Sequence, residues 1–213
     1  MARILVTGSN RGIGAALLRA AKSAGHEPIG TTRDGRDQTI ALILDDPDTI
    51  AAQLSEIGPL GMLVNNAGVI TPQRQLPLYM DFAGFAHSLA VNSIAPLAVA
   101  QAVLPRLREG AAPRILTISS QMALMGYRKA DRIAYRASKA AVSKVMQGLA
   151  TALEPEGIPV ALVDPGWVRT DMGGAEAEED PGAVAKGILA IAERLTIQDT
   201  GRFFRFTGKE RAF

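Results

Sequence analysis

The chain has 213 residues, 23 of them basic and 21 acidic, a formal net charge of +2 and no cysteine. That length suits one domain, residues 1–213, with a core that needs no staples. The missing cysteine excludes disulfides, thiolate metal sites and a cysteine nucleophile, and the scattered, nearly balanced charge implies neither nucleic acid nor membrane as a partner.

The first residues, Met1-Ala2-Arg3-Ile4-Leu5-Val6, enter an apolar run far too short for the hydrophobic region of a signal peptide. No window reads as the roughly 18 to 20 apolar residues that cross a bilayer, so a soluble, cytoplasmic protein is expected. Residues 3–7 form a β-branched and aliphatic strand ended by Gly8, and 12–23 a helix with Ile13, Leu17, Leu18 and Ala21 on one side. A second strand follows over 27–32 and a third over 39–44, closed by Asp45-Asp46-Pro47. Residues 48–57 carry Ile50, Leu54 and Ile57 at helical spacing, and 62–65 give a fourth strand. The second half repeats the rhythm. A helix is expected over 81–108, with Pro96 marking a kink and Pro105 an end. Strand 114–119, helix 133–153, strand 160–164, helix 181–195 with proline in its first turn, and a final edge strand over 202–206 complete it. The acidic stretch 173–180 is a solvated loop or helix start. Strands alternating with helices predict an α/β fold with a parallel sheet and helices on both faces.

Two stretches carry chemistry. Thr7-Gly8-Ser9-Asn10-Arg11-Gly12-Ile13-Gly14 lies between the first strand and the first helix. Glycines there let backbone approach a pyrophosphate, and the helix start offers free amides and partial positive charge. A nucleotide cofactor is expected at this turn. Tyr135-Arg136-Ala137-Ser138-Lys139 places a phenol and an ammonium four residues apart, on one face of a helix. A cation held beside the phenol favours phenolate and is expected to lower the tyrosine pKa, fitting the pair for acid/base work.

Together with Asn65-Asn66-Ala67-Gly68 after the fourth strand and Pro165-Gly166-Trp167-Val168-Arg169-Thr170 after the sixth, these motifs resemble the short-chain dehydrogenase/reductase superfamily over essentially the full chain. The phrasing of Asn10-Arg11-Gly12, Tyr135–Lys139 and 165–174 is most similar to its C-factor and sniffer-type carbonyl reductase branch. The resemblance implies a Rossmann-type doubly wound sheet and an NADP(H)- or NAD(H)-dependent reaction on a small-molecule carbonyl compound. Catalysis would fall to Tyr135, Lys139, a serine and Asn92. The serine is placed at Ser120, but the link from there to Tyr135 is longer than the family's usual one, so Ser119 stays open and the extra length is expected to loop out around 125–131. Asn92 would hold a water bonded to Lys139. Asp45 is implied as an adenine contact, Asn66, Ala67 and Gly68 as the wall beside it, and Pro165, Gly166, Val168 and Thr170 as neighbours of the nicotinamide.

Cofactor choice rests on the second strand. It ends Thr31-Thr32-Arg33, with no acid until Asp34. A carboxylate there would repel a 2′-phosphate, whereas Arg33 and Arg11 together can hold one. NADP(H) is therefore favoured over NAD(H), unless Asp34 turns inward. Met122, Leu124, Met125, Tyr127, Trp167 and Met172 either line an apolar pocket or pack in the core or an oligomer contact. Homodimers or homotetramers through the 81–108 and 132–154 helices are what the resemblance implies. A cofactor-binding regulator without turnover is the competing function, and His26 and His87 have no assigned role.

Overall fold

The computed structural model describes residues 1–213. Seven parallel strands, β1 (Arg3–Val6), β2 (Glu27–Thr32), β3 (Ile40–Ala41), β4 (Met62–Asn65), β7 (Arg114–Ile118), β8 (Val160–Asp164) and β9 (Phe203–Arg205), lie in the order β3-β2-β1-β4-β7-β8-β9. The eighth, β10 (Glu210–Arg211), runs antiparallel to β9. A separate two-stranded hairpin joins β5 (Gln75–Leu76) to β6 (Tyr79–Met80).

The central strands are buried on both faces, as parallel strands covered by helices must be. Successive side chains alternate between the two layers. Leu5, Leu63, Ile115 and Leu162 enter the core that α2 (Ile50–Gln53), α4 (Ala95–Arg108) and α5 (Ile133–Leu153) cover. Ile4, Val6, Val64, Leu116 and Val163 face α1 (Gly12–Ser23) and α6 (Pro181–Arg194). The chain reverses its direction across the sheet between β1 and β4. Loops at the carboxyl ends of these strands diverge there, and a ligand crevice opens.

Several expectations are corrected. The third strand stops at Ala41 rather than residue 44, because the Gln53 side chain takes both the amide (2.7 Å) and the carbonyl (3.1 Å) of Ile43 in place of a neighbouring strand. The helix expected over 48–57 is a 3₁₀ turn, Pro47–Thr49, followed by the single turn of α2. Ile50, Leu54 and Ile57 are nonetheless all buried, so their spacing reported burial and not helix length. Helix 82–108 runs through Pro105 to Arg108 instead of ending there. Pro105 lies on the exposed side of the helix, where the carbonyl it leaves without an N–H partner is open to solvation. The kink near Pro96 takes a specific form: α3 (Phe82–Leu89) passes into a π-turn, Ala90–Ile94, before α4 begins. With no N–H at residue 96 to bond the carbonyl of Asn92, the register there slips by one residue. The last predicted strand is not an edge, since β10 covers it. The 27 residues of Phe82–Arg108 do have the length and apolar composition to cross a membrane, contrary to the sequence expectation, but Val99, Val103 and Leu107 are fully buried against the sheet as in a core helix.

Candidate active site

The turn after β1 is shaped by atoms it lacks. Gly8 has φ +66°, and a Cβ on it would come within 2.8 Å of the Ala67 Cα. A Cβ on Gly14 would lie 2.2 Å from the Gly8 carbonyl oxygen and 2.6 Å from Asn66 Nδ2. Backbone therefore packs on backbone. Asn66 fastens the assembly, its Nδ2 donating to the carbonyls of Thr7 (2.9 Å) and Gly8 (3.0 Å), while Thr7 Oγ1 accepts from the amides of Asn66 and Ala67, each at 3.0 Å. Ser9 turns inward, its hydroxyl donating to the Thr31 carbonyl at 3.1 Å, and Asn10 and Arg11 face solvent. Ile13 is half-buried against the α1–α6 core, and Arg11, at the N-cap of α1, makes no side-chain cap to its first amides. This close-packed glycine backbone at an uncapped helix start fits a phosphate-bearing nucleotide.

At the tip of β2, Arg33 is exposed. Asp34 turns to the adjacent Arg36 guanidinium (2.5 to 2.9 Å) and Thr32 Oγ1 (3.1 Å), and the Arg36 hydrogen bond holds its carboxyl well below the usual carboxylate range. Arg11 reaches across to Asp171 at 2.8 Å, beyond the Pro-Gly turn. Asp45 stands 3.4 Å from His87 Nδ1. His26 is half-buried and tied on both nitrogens, to the Ala2 amide and to Glu193.

Tyr135, Lys139 and Ser120 gather beneath the same crevice, 8 %, 4 % and 9 % exposed. Lys139 Nζ donates to the Ile118 carbonyl at 2.8 Å and lies 5.8 Å from the centre of the Tyr135 ring. It is also 3.6 Å from where a Cβ of Gly68 would stand, so the acid/base pair and the nucleotide turn adjoin through Ala67-Gly68. The two serines part at the strand end. Ser119 faces inward to Ser143 Oγ (2.8 Å) and the Lys139 carbonyl (3.3 Å). Ser120 Oγ accepts from the Met122 amide at 3.1 Å, and the same side chain opposes the rise in the Tyr135 phenol's pKa. Asn92 sits in the π-turn. Its Nδ2 donates to the Val69 carbonyl (2.8 Å) and Ser138 Oγ (2.9 Å), and its Oδ1 accepts from the Val69 amide (2.8 Å).

The sequence expectation for the tyrosine is overturned. Burial pushes the Tyr135 phenol up to about 12, with the Ser120 hydrogen bond opposing, the Asp164 charge adding and Arg132 opposing. Burial also pulls Lys139 down to about 8. Desolvation governs both groups: at Tyr135 it outweighs the Arg132 cation, and at Lys139 it acts alone.

After β8, Pro165 and Val168 are buried and Gly166 takes φ +75°, and the Thr170 methyl lies 3.1 Å from where a Cβ of Gly12 would be. The Pro-Gly turn thus overhangs the glycine turn. The stretch between Ser120 and Tyr135 loops out as expected. Arg136 clamps it, donating to Asp131 (2.7 Å to Oδ1, 2.8 Å to its carbonyl) and stacking 4.9 Å from the Tyr127 ring centre. Met125, Tyr127, Trp167 and Met172 are exposed, which excludes them from the core.

Two residues escaped the sequence reading. Gln75, buried in the hairpin, accepts from the amide of Tyr135 at 3.1 Å, and nothing in the polar stretch around it signals this. Asp164 is buried at the end of β8 with its Oδ1 accepting from the amides of Gln121 and Gly166, each at 3.0 Å. Its signal was visible: a carboxylate closing the otherwise apolar Val160-Ala161-Leu162-Val163.

Residues 2–181 match the family described as short chain dehydrogenase. The chain belongs to the short-chain dehydrogenase family. Among curated relatives, C-signal of Myxococcus xanthus is 38 % identical over 154 residues, 72 % of this chain and 92 % of the relative. Among solved structures, the carbonyl reductase Sniffer of D. melanogaster superposes with a TM-score of 0.92 at 25 % identity, all of both chains being covered. An NADPH-bound carbonyl reductase from chicken fatty liver gives 0.86 at 27 % identity, over 99 % of this chain and 98 % of that one. The parallel α/β sheet expected from strand and helix alternation is the one observed, the family resemblance carried by the motifs is borne out, and the chain is an oxidoreductase of that family.

Proposed function

We propose that this short-chain dehydrogenase reduces a small aldehyde, ketone or quinone with NADPH. The observation that carries the reading is the joint burial of Ser120, Tyr135 and Lys139 against the wall of the glycine turn. Residues 8–14 would hold the cofactor's phosphates, Arg33 with Arg11 the 2′-phosphate, Asp45 and 66–68 the adenine side, and Pro165, Gly166, Val168 and Thr170 the nicotinamide. When bound, NADPH supplies the hydride. Ser120 orients the carbonyl oxygen. Tyr135, still protonated at neutral pH with a pKa near 12, gives its proton to that oxygen as charge develops on it. Lys139 engages the nicotinamide ribose and, as an ammonium, steadies the tyrosine left behind. Asn92 fixes the Val69 backbone and Ser138 around the lysine. The half-buried Ala137, Ala140 and Ala141 of α5 support close helix packing in a homodimer or homotetramer, which sedimentation tests.

Support for NADP(H) comes from the exposed Arg33 at the tip of β2, from Asp34 being occupied by Arg36, and from the NADPH-bound chicken structure. The experiment is to follow NADPH oxidation over a panel of aldehydes, diketones and quinones, with the native chain and Tyr135→Phe. Turnover lost on the order of 10²-fold or more in the variant, with NADPH still bound, supports the reading. The similarity to C-signal favours a second reading, an NADP(H)-binding signalling protein. Tight NADPH binding with no turnover in the native chain selects it.

A further inference from the structure

Below the Pro165-Gly166 turn lies a set of charges that the reaction just described does not use. Asp164 has no exposed side-chain surface, and its Oδ2 lies 2.8 Å from a terminal nitrogen of Arg211, which reaches in from β10. That contact is an ion pair off hydrogen-bonding alignment, and Oδ2 and the buried Arg211 Nε have no hydrogen-bond partner. Beside it, Arg205 of β9 donates to Glu179 at 2.6 Å, and Glu179 packs within 3.1 Å of where a Gly166 Cβ would stand. Two carboxylates and two guanidiniums are thus buried or half-buried beneath one turn. A carboxylate taken out of water is costly unless it is paired and hydrogen-bonded. So costly a group on an apolar strand calls for a local reason.

The reason lies in what Oδ1 touches. One oxygen accepts both the Gln121 amide, next to Ser120, and the Gly166 amide, in the turn that would border the nicotinamide. The serine loop and the Pro-Gly loop come from different strands, β7 and β8, and this atom spans them. We propose that Asp164 is a positioning residue that fixes Ser120 relative to the Pro165-Gly166 turn, with Arg211 as the counter-charge that makes the buried clamp tolerable. The proposal rests on the reductase reading for its effect on turnover, but not for its effect on backbone order. It also gives a task to residues beyond position 181, where the family match ends.

The test uses the full chain and four variants: Asp164→Ala, Asp164→Asn, Arg211→Met and Asp164→Asn/Arg211→Met. Asp164→Ala removes the shared acceptor. Its kcat should fall on the order of tenfold to a hundredfold, as for a small misplacement of reacting groups, while the KM for the carbonyl compound moves little. Asp164→Asn keeps the acceptor oxygen but leaves Arg211 facing an amide, and Arg211→Met strands the carboxylate, so each alone should lose turnover. The double variant keeps the oxygen and removes both charges, and should recover kcat to within about threefold of native, a coupling that additive structural damage would not produce. Hydrogen exchange at the Gln121 and Gly166 amides, measured without substrate, should quicken in Asp164→Ala and return towards native in the double variant. Native turnover and exchange in Asp164→Ala, or a double variant no better than the single ones, overturns the proposal. If Asp164→Ala does not fold, the double variant decides: recovered turnover with protected amides supports the clamp, and lost turnover with protected amides overturns it. Should the native chain reduce no carbonyl, the reductase reading falls while the exchange data still judge the clamp.

Discussion

Lys139→Met isolates the tension between burial and chemistry at this site. Burial brings Lys139 from the ordinary lysine value of 10.5 down to about 8. At about 1.36 kcal/mol per pH unit that is roughly 3 kcal/mol of penalty for keeping the ammonium in the folded chain at pH 7. Methionine has similar length and no charge. The substitution also removes the hydrogen bond to the Ile118 carbonyl, worth about 1 kcal/mol and leaving an acceptor behind. The balance is a gain of about 1 to 2 kcal/mol at pH 7, or roughly 2 to 8 °C in Tm for a domain of this size. The sign follows from proton counting: between pH 8 and 10.5 the unfolded chain binds a proton at this lysine that the folded chain does not. This group's contribution to native stability therefore rises with pH across that window and is at its lowest below it. Urea unfolding of both proteins at pH 7 and pH 10 is the assay. The variant should lead at pH 7 and lose that lead entirely, or fall behind, by pH 10, because about 2 to 3 kcal/mol of the native lysine's penalty is gone by then; its turnover is abolished throughout. A variant less stable than native at pH 7, or a difference that does not narrow with pH, would refute the claim that desolvation governs this lysine.

Three other outcomes can be checked directly. Ser120→Ala should lower kcat on the order of 10²-fold and cost about 1 kcal/mol in unfolding through the lost cap on the Met122 amide, whereas Ser119→Ala, which breaks contacts to Ser143 and the Lys139 carbonyl, should cost about 1 to 2 kcal/mol in unfolding and less in kcat. Gly14→Ala forces a Cβ to within 2.2 Å of the Gly8 carbonyl, so NADPH affinity by fluorescence should drop at least tenfold and stability by roughly 1 to 3 kcal/mol. Arg33→Asp should turn any preference for NADPH over NADH by on the order of tenfold or more in titrations of the two, and equal binding of both by the native chain would remove the arginine argument.

Much of the fold was legible because its signals are local. β4 and β8 are short apolar runs bounded by turns, and α5 begins and ends at the residues expected of it. Where the reading failed, a distant group intervened. Gln53 ends β3, β10 covers β9, and burial reverses the expected direction at Tyr135, none of which spacing can report. The glycine turn and the Tyr135–Lys139 pair could be read because their chemistry lies within a few residues. Gln75 and Arg211 could not, since each acts on a residue more than 40 positions away.

The π-turn at Ala90–Ile94 carries one residue more than an α-helix would use over the same rise. Excising any one of those five would let the helix close to ordinary winding, and because the wide turn absorbs its extra residue within one revolution, the half before it would keep its facing. Ser88, fully buried and donating to the Thr71 carbonyl, would stay where it is, while the bonds that Asn92 makes to Val69 and Ser138 from within the wide turn would be disturbed. A shortening that spares both flanks would in this place fall on the few atoms around the buried lysine.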